Sequence, residues 1–204
     1  MTDDLFTGIG SGRLERQLRF LTEIDKAKLI LRRTLLTDGS RRENDAEHSW
    51  HLAVMAAVLQ EHAREPFSME RVLKMTLIHD LVEIYAGDTF AFDTAANAGK
   101  EDRETAAADR LFALLPPDQG QELRALWEEF DAMETADARY AAALDRLQPF
   151  LHNLCTQGHT WVLGKATRQQ VMERSGPAME ALPALRPWME AQIQKAIQNG
   201  WIRP

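Results

Sequence analysis

A chain of 204 residues, 45% hydrophobic and 27% charged, is long enough to bury a sizeable core, and one domain spanning 1–204 is expected. Its formal charge of −7 argues against duplex nucleic acid as a partner, while a small anionic substrate in a locally positive cleft stays compatible with it. The single cysteine, Cys155, excludes an intrachain disulfide. No apolar run nears the roughly 20 residues of a membrane span, and Met1-Thr2-Asp3-Asp4 lacks the features of a signal peptide; the cytoplasm is the expected compartment.

In chain order the elements read as helix after helix, with no alternating pattern that marks a strand. Leu14, Leu18, Leu21, Ile24 and Leu29 recur at helical spacing over about 12–31. Residues 32–44, rich in Arg, Thr, Asp, Gly and Ser, read as a connection. Asn44-Asp45-Ala46-Glu47 has the form of a capping box, opening a helix to about His62 that turns Leu52, Met55, Ala56 and Leu59 inward. After Pro66, Ser68 is placed to cap a helix running to about Tyr85, where Gly87-Asp88 ends it. Leu73, Met75, Leu77, Ile78, Leu81, Val82 and Ile84 point almost all round that helix, the mark of a buried one.

A turn-rich stretch follows to Gly99, then a charged helix over about 100–115, whose Lys100-Glu101-Asp102-Arg103-Glu104 reads as a solvated face. Pro117 opens another helix to about 132. Thr135 caps a long one to about Gln157, bearing Leu144, Leu147, Phe150, Leu151 and Leu154, with Pro149 inside it. The last forty residues, interrupted by Gly176, Pro177, Pro183 and Pro187, hold one or two helices. The expected fold class is an all-α, single-domain helical bundle.

His79, Asp80 and Glu83 sit in the last turns of the apolar helix. Burying such groups is costly unless they are paired or bound to a metal. A lone His on an apolar helix is usually a satisfied core residue, so the His-Asp pair gains meaning only with partners. His48, His79, Asp80 and Asp145 lie on three separate predicted helices and are candidates to converge. Two imidazoles and two carboxylates form a mixed nitrogen and oxygen set suited to one divalent transition metal (Mn, Fe, Co, Ni or Zn) rather than Ca or Mg. Four protein ligands round an octahedral ion leave two positions for water and a substrate oxygen.

These residues carry a family pattern. His48…His79-Asp80…Asp145 resembles the H…HD…D signature of the HD-domain phosphohydrolases. Arg42-Glu43-Asn44-Asp45-Ala46-Glu47-His48-Ser49 and the run from Ile78 to Asp88, similar to HD-x-x-E-x-x-x-G-D, resemble the 5′-deoxynucleotidase branch. The motif-bearing core covers about 25–157, leaving 158–204 as a C-terminal helical extension. The resemblance implies that His48, His79, Asp80 and Asp145 are the metal ligands. It implies that Glu83 handles the proton of the attacking water or leaving oxygen and that Asp88 shares that task. It also implies an arginine upstream of the first ligand that grips the substrate phosphate, which by its fifteen-residue offset from His48 is Arg33. A guanidinium fork matches phosphate oxygens in pairs. Some members carry Trp after this arginine; here Thr34 stands there.

The expected activity is metal-dependent hydrolysis of (deoxy)nucleoside 5′-monophosphates to nucleoside and phosphate. The alternatives are another phosphate ester or cyclic nucleotide as substrate, or a metal-containing regulatory protein without turnover. His51, one turn beyond His48, could compete as a ligand but is expected to support the ligands or pack; His62, His152 and His159 are expected to pack or face solvent, and Arg42 to pair with Glu47 or a site carboxylate. The resemblance also implies a homodimer, with Trp161, Trp188 and Trp201 of the tail as candidate interface residues. Neither a membrane nor duplex nucleic acid is expected as partner.

Overall fold

The structure, a computed structural model, describes residues 5–6, 8–93 and 98–204; the turn-rich stretch before Gly99 lies partly outside them. Helix α1 (Gly12–Ile24) is capped by Ser11, whose hydroxyl accepts from the Leu14 amide. It gives way to a 3₁₀ turn at Asp25–Leu29, so the first helix is shorter than its apolar spacing suggests.

The expected connection over 32–44 is instead a small hairpin. Strands β1 (Leu31–Leu35) and β2 (Arg42–Asn44) pair antiparallel, with Leu31 opposite Asn44, Leu35 opposite Arg42 and an irregularity between. Alternation is present on β1 but inverted in chemistry. Arg32 and Thr34 are buried, while Leu31 is 47% exposed. The inner face meets a cluster of carboxylates rather than the apolar core, so a search for alternating apolar residues passes over it. The Arg42 guanidinium donates to the carbonyls of Leu31 and Arg32 and fastens the hairpin. Arg41, not Arg42, pairs with Glu47, with contacts of 2.9 and 2.6 Å.

Helix α2 (Asp45–Leu59) opens on the expected capping box. Asn44 Oδ1 accepts from the Glu47 amide at 2.9 Å, and Glu47 Oε2 accepts from the Asn44 amide at 3.2 Å. Leu52, Met55 and Ala56 face the core. Helix α3 (Met69–Ile78) ends seven residues before the expected Tyr85. The chain then tightens: the Glu83 amide reaches the Asp80 carbonyl at 2.9 Å before the short α4 (Glu83–Ala86). Nothing in the hydropathy marks this break, since apolar residues run through it. Gly87, at φ 78°, closes α4 in a conformation that other residues rarely adopt. The all-round apolar face is also incomplete, for Leu77 is 49% exposed.

Next come α5 (Lys100–Phe112), α6 (Pro117–Ala132) and α7 (Ala136–Cys155). Gly120 lets α6 approach the end of α5, because a Cβ there would lie 2.5 Å from the Phe112 carbonyl oxygen. The tail forms one short and two longer helices: α8 (His159–Leu163), α9 (Arg168–Ala181) and α10 (Arg186–Gln198).

Helix α7 is the axis of the molecule. Its Ala138, Ala141, Ala142 and Ala143 keep the surface low, so α2, α3, α6 and α9 all pack against it. One apolar cluster runs from Phe20 through Leu144 to Ile202, and the tail shares it. Trp161, an expected interface candidate, is buried edge-on against Phe150; Trp188 remains 39% exposed. The fold is helical, with the hairpin as its minor departure. Among the described residues no helix is long and apolar enough to cross a membrane.

Candidate metal centre and cleft

The capping box puts His48 at the fourth position of α2, directed at α7. His79 caps the C-terminal end of α3, Asp80 follows in the tightened turn, and Asp145 lies midway along α7. His48 Nε2 is 3.0 Å from Asp145 Oδ1, and His79 Nε2 is 3.2 Å from Asp80 Oδ2. The cross distances, His79 Nε2 to Asp145 Oδ1 and His48 Nε2 to Asp80 Oδ2, are both 3.8 Å. His48, His79 and Asp145 offer ligand atoms within 4.8 Å of one another, and Asp80 lies beside both imidazoles while forming a second such group with Asp45 and Glu83.

The imidazoles are oriented for ligation. His79 Nδ1 lies 3.1 Å from the Thr76 carbonyl, which accepts its N–H and turns Nε2 toward Asp80 and Asp145. That Nε2 is buried without a hydrogen-bond partner. His48 Nδ1 is 3.6 Å from Glu43 Oε2, so its Nε2 likewise faces the carboxylates. Phe130 packs against the His79 ring with centroids 4.8 Å apart. An orphaned imidazole nitrogen beside a second imidazole and two carboxylates fits a divalent metal.

Electrostatics divide the carboxyls into two sets. Burial opposes ionisation of Asp80, yet His79 and Arg32 hold it below the usual range; Arg146, His48 and His79 do the same for Asp145. Burial also opposes protonation of His79, but Asp80 and Asp145 draw it up to about 10. Conversely, burial and the Asp80 charge push Asp45 up to about 8, and burial with Asp80 and Asp45 raises Glu83 well above the carboxylate range. Burial raises Asp88 as well, with Arg32 opposing. Carboxyls driven apart in one site supply both anions for a cation and protonated groups for acid chemistry.

The site opens into a cleft of about 170 Å³. Glu83, Asp88 and Asp145 line it, with Arg33 and Thr34 at the hairpin side. Arg33 is exposed, whereas its neighbour Arg32 turns inward to pair with Asp80. Lys100 also lines the cleft, so the charged helix is not solvated all round; Arg146 and Arg174 complete the cationic wall.

Several residues beyond the motif ligands support the centre. Gln148 on α7 donates to Glu43 Oε1, and its Nε2 lies 3.1 Å from His152 Nε2. His152, expected as packing or surface, is buried, and its Nδ1 faces the Leu35 carbonyl at 2.8 Å. His51 completes this second group, its Nδ1 3.4 Å from Gln148. Arg32, Asp45 and Arg174 belong to the site by geometry as well. Asp45 stood inside the quoted motif and carried a signal; Arg174 stood in none.

The protein-family model described as HD domain matches residues 24–186. The human 5′-deoxynucleotidase HDDC2 is 30% identical over 147 residues, 72% of this chain and 69% of that protein. Its Bos taurus counterpart is 32% identical over 143 residues, 69% and 68% of the two chains. A crystal structure described as a predicted metal-dependent phosphohydrolase from Magnetospirillum magnetotacticum MS-1 is 52% identical, covers 96% of this chain and 98% of that one, and superposes with a TM-score of 0.90. Family match, relatives and solved structure agree: the chain belongs to the HD domain family and is a hydrolase.

Proposed function

We propose that the protein hydrolyses deoxynucleoside 5′-monophosphates to nucleoside and inorganic phosphate, with His48, His79, Asp80 and Asp145 holding one transition metal from the series Mn, Co, Fe, Ni and Zn. The observation that carries the reading is the approach of His48 and His79 to Asp80 and Asp145, the two carboxylates that also line a cleft holding raised carboxyls and unengaged arginine. The 5′-deoxynucleotidase names of the human and bovine relatives supply the substrate class.

A metal in such a set supplies Lewis acidity toward a phosphoryl oxygen and lowers the pKa of a water. The chain's own residues do the rest. Arg33 engages the phosphate oxygens and offsets charge that builds on them. Water oxygen bonds to phosphorus as the ester bond to the 5′-oxygen breaks. Glu83, its carboxyl pushed toward the protonated form by burial, gives a proton to the departing oxygen and recovers one from the water; Asp88 shares that exchange.

The chain is read as one domain with its catalytic core in about 25–157, cytoplasmic, and without duplex nucleic acid or membrane as partner. A homodimer belongs to the same reading. Trp50, Val54 and Val58, four residues apart on α2 and exposed, form an apolar stripe suited to a second copy. The test of function is phosphate release from deoxy- and ribonucleoside 5′-monophosphates with each metal, the parent run beside D145A. Release from deoxynucleotides, lost in the variant, supports the reading. Silence from a metal-loaded parent overturns it, and equal release from ribonucleotides removes the deoxy preference.

A further inference from the structure

The cationic wall of the cleft is not uniformly committed. Arg32 is paired with Asp80, Arg146 with Asp145, and Lys100 with Glu104 at 3.4 Å. Arg33 and Arg174 have no hydrogen bond or ion pair to any described residue. For exposed Arg33 that is ordinary. For Arg174 it is not, because α9 holds this side chain half-buried among Phe92, Pro149, Thr160 and Arg146. Burial and the neighbouring Arg146 charge lower its pKa to about 10, the response of a cation withdrawn from water beside a like charge. Asp145 and Asp80 oppose that shift only from beyond ion-pair distance, and a half-buried guanidinium with no counter-charge in contact is costly; such groups gather where an anion is received.

We propose that Arg174, with Arg146 beside it, receives a second anionic oxygen of the substrate phosphate in the cleft that Arg33 also lines, and thereby fits the cleft to dianionic phosphate monoesters over diesters. Two uncommitted guanidiniums match two negative charges. A monoester carries about −1.5 to −2 at pH 7, whereas a diester carries one charge. The fork of each arginine suits phosphate oxygens in pairs. The inference rests on the phosphomonoester reading above, and it gives the C-terminal extension a part in the site.

The test uses the full metal-loaded chain and two probes, inorganic phosphate and dimethyl phosphate, with affinities read by calorimetry. The variants are R174A, R174K and, as a control on the exposed face of the same helix, R168A. R174A is expected to weaken phosphate binding about tenfold to a hundredfold, as loss of a charged hydrogen bond does. R174K, keeping the charge without the fork, falls between; R168A matches the parent. Dimethyl phosphate binds weakly to the parent and changes little. Should R174A not fold, R174Q removes the charge at nearly the same volume and gives the same readings.

Phosphate affinity unchanged in a folded R174A or R174Q overturns the proposal, as does dimethyl phosphate bound as tightly as phosphate. Nucleotide turnover, measured alongside, separates this inference from the activity. A parent that fails to hydrolyse nucleotides but binds phosphate through Arg174 retains the anion site and loses the nucleotidase reading. A parent that turns over nucleotides with phosphate affinity indifferent to Arg174 keeps the activity and loses the proposal.

Discussion

Arg32 and Arg33 are consecutive on β1 and face opposite environments: Arg32 is 9% exposed and paired with Asp80, while Arg33 stands exposed at the rim of the cleft. Strand alternation sets this division, and it predicts separable effects. R33A removes no ion pair and is expected to melt within about 2 °C of the parent, since surface changes are typically within ±0.5 kcal/mol, while raising KM for nucleotide. R32A strips a guanidinium from a group of buried carboxylates and is expected to cost about 3–5 kcal/mol. Melting curves and steady-state kinetics on both variants check this. A raised KM in R32A with no loss of stability would move phosphate binding to Arg32.

His79 gives a prediction on protons. In the chain by itself it is drawn up to about 10 by Asp80 and Asp145 against the opposing effect of burial, so it is an imidazolium at neutral pH. Coordination needs the neutral ring. Below about 10 each binding event must therefore release that proton, and metal affinity must rise with pH. One proton corresponds to about tenfold per pH unit. Calorimetry at pH 7.5 in buffers of different ionisation enthalpy counts the protons directly. Affinity flat from pH 6.5 to 8.5 would mean that His79 is already neutral.

Much of this site is legible in the sequence, and the reason is local chemistry. The Asn44–Glu47 cap, the His79-Asp80 pair and Gly87 announce themselves through residue types whose roles are tied to short spacings. The hairpin was hidden because its inward residues, Arg32 and Thr34, are polar, which inverts the usual reading of alternation. The break after Ile78 was hidden because Leu81 and Val82 continue the apolar run. Arg174 and Gln148 were hidden for a different reason: each gains its role only when α7 and α9 come together against the hairpin, a relation that no spacing encodes.

Glu43 and Gln148 exemplify such a relation, and they bear on metal affinity. Glu43 Oε2 lies 3.6 Å from His48 Nδ1, while Gln148 donates to the other carboxylate oxygen and holds it in place. The carboxylate faces Nδ1 and so turns Nε2 toward Asp145 and Asp80, where a metal would be held. E43Q offers an amide N–H to Nδ1 instead, and the ring must turn or change tautomer. Metal affinity is expected to fall about 10–100-fold, with activity recovered at raised metal concentration. A dissociation constant equal to the parent's would assign Glu43 to packing alone.

The last prediction concerns Glu83, whose carboxyl is pushed well above the usual carboxylate range by burial and by the charges of Asp80 and Asp45. A group acting as an acid works only while protonated, so its deprotonation must impose a fall in kcat as pH rises, on the alkaline side of the profile. E83Q keeps the shape and cannot pass a proton. It is expected to lose about 10²–10⁴-fold in kcat, the usual worth of a positioned acid or base, while metal affinity stays as in the parent. The alkaline limb should vanish with it. An E83Q enzyme as active as the parent would leave Asp88, raised by the same burial, as the remaining candidate for the proton. A variant that keeps the limb at reduced rate would place Glu83 in positioning the water and Asp88 in the transfer.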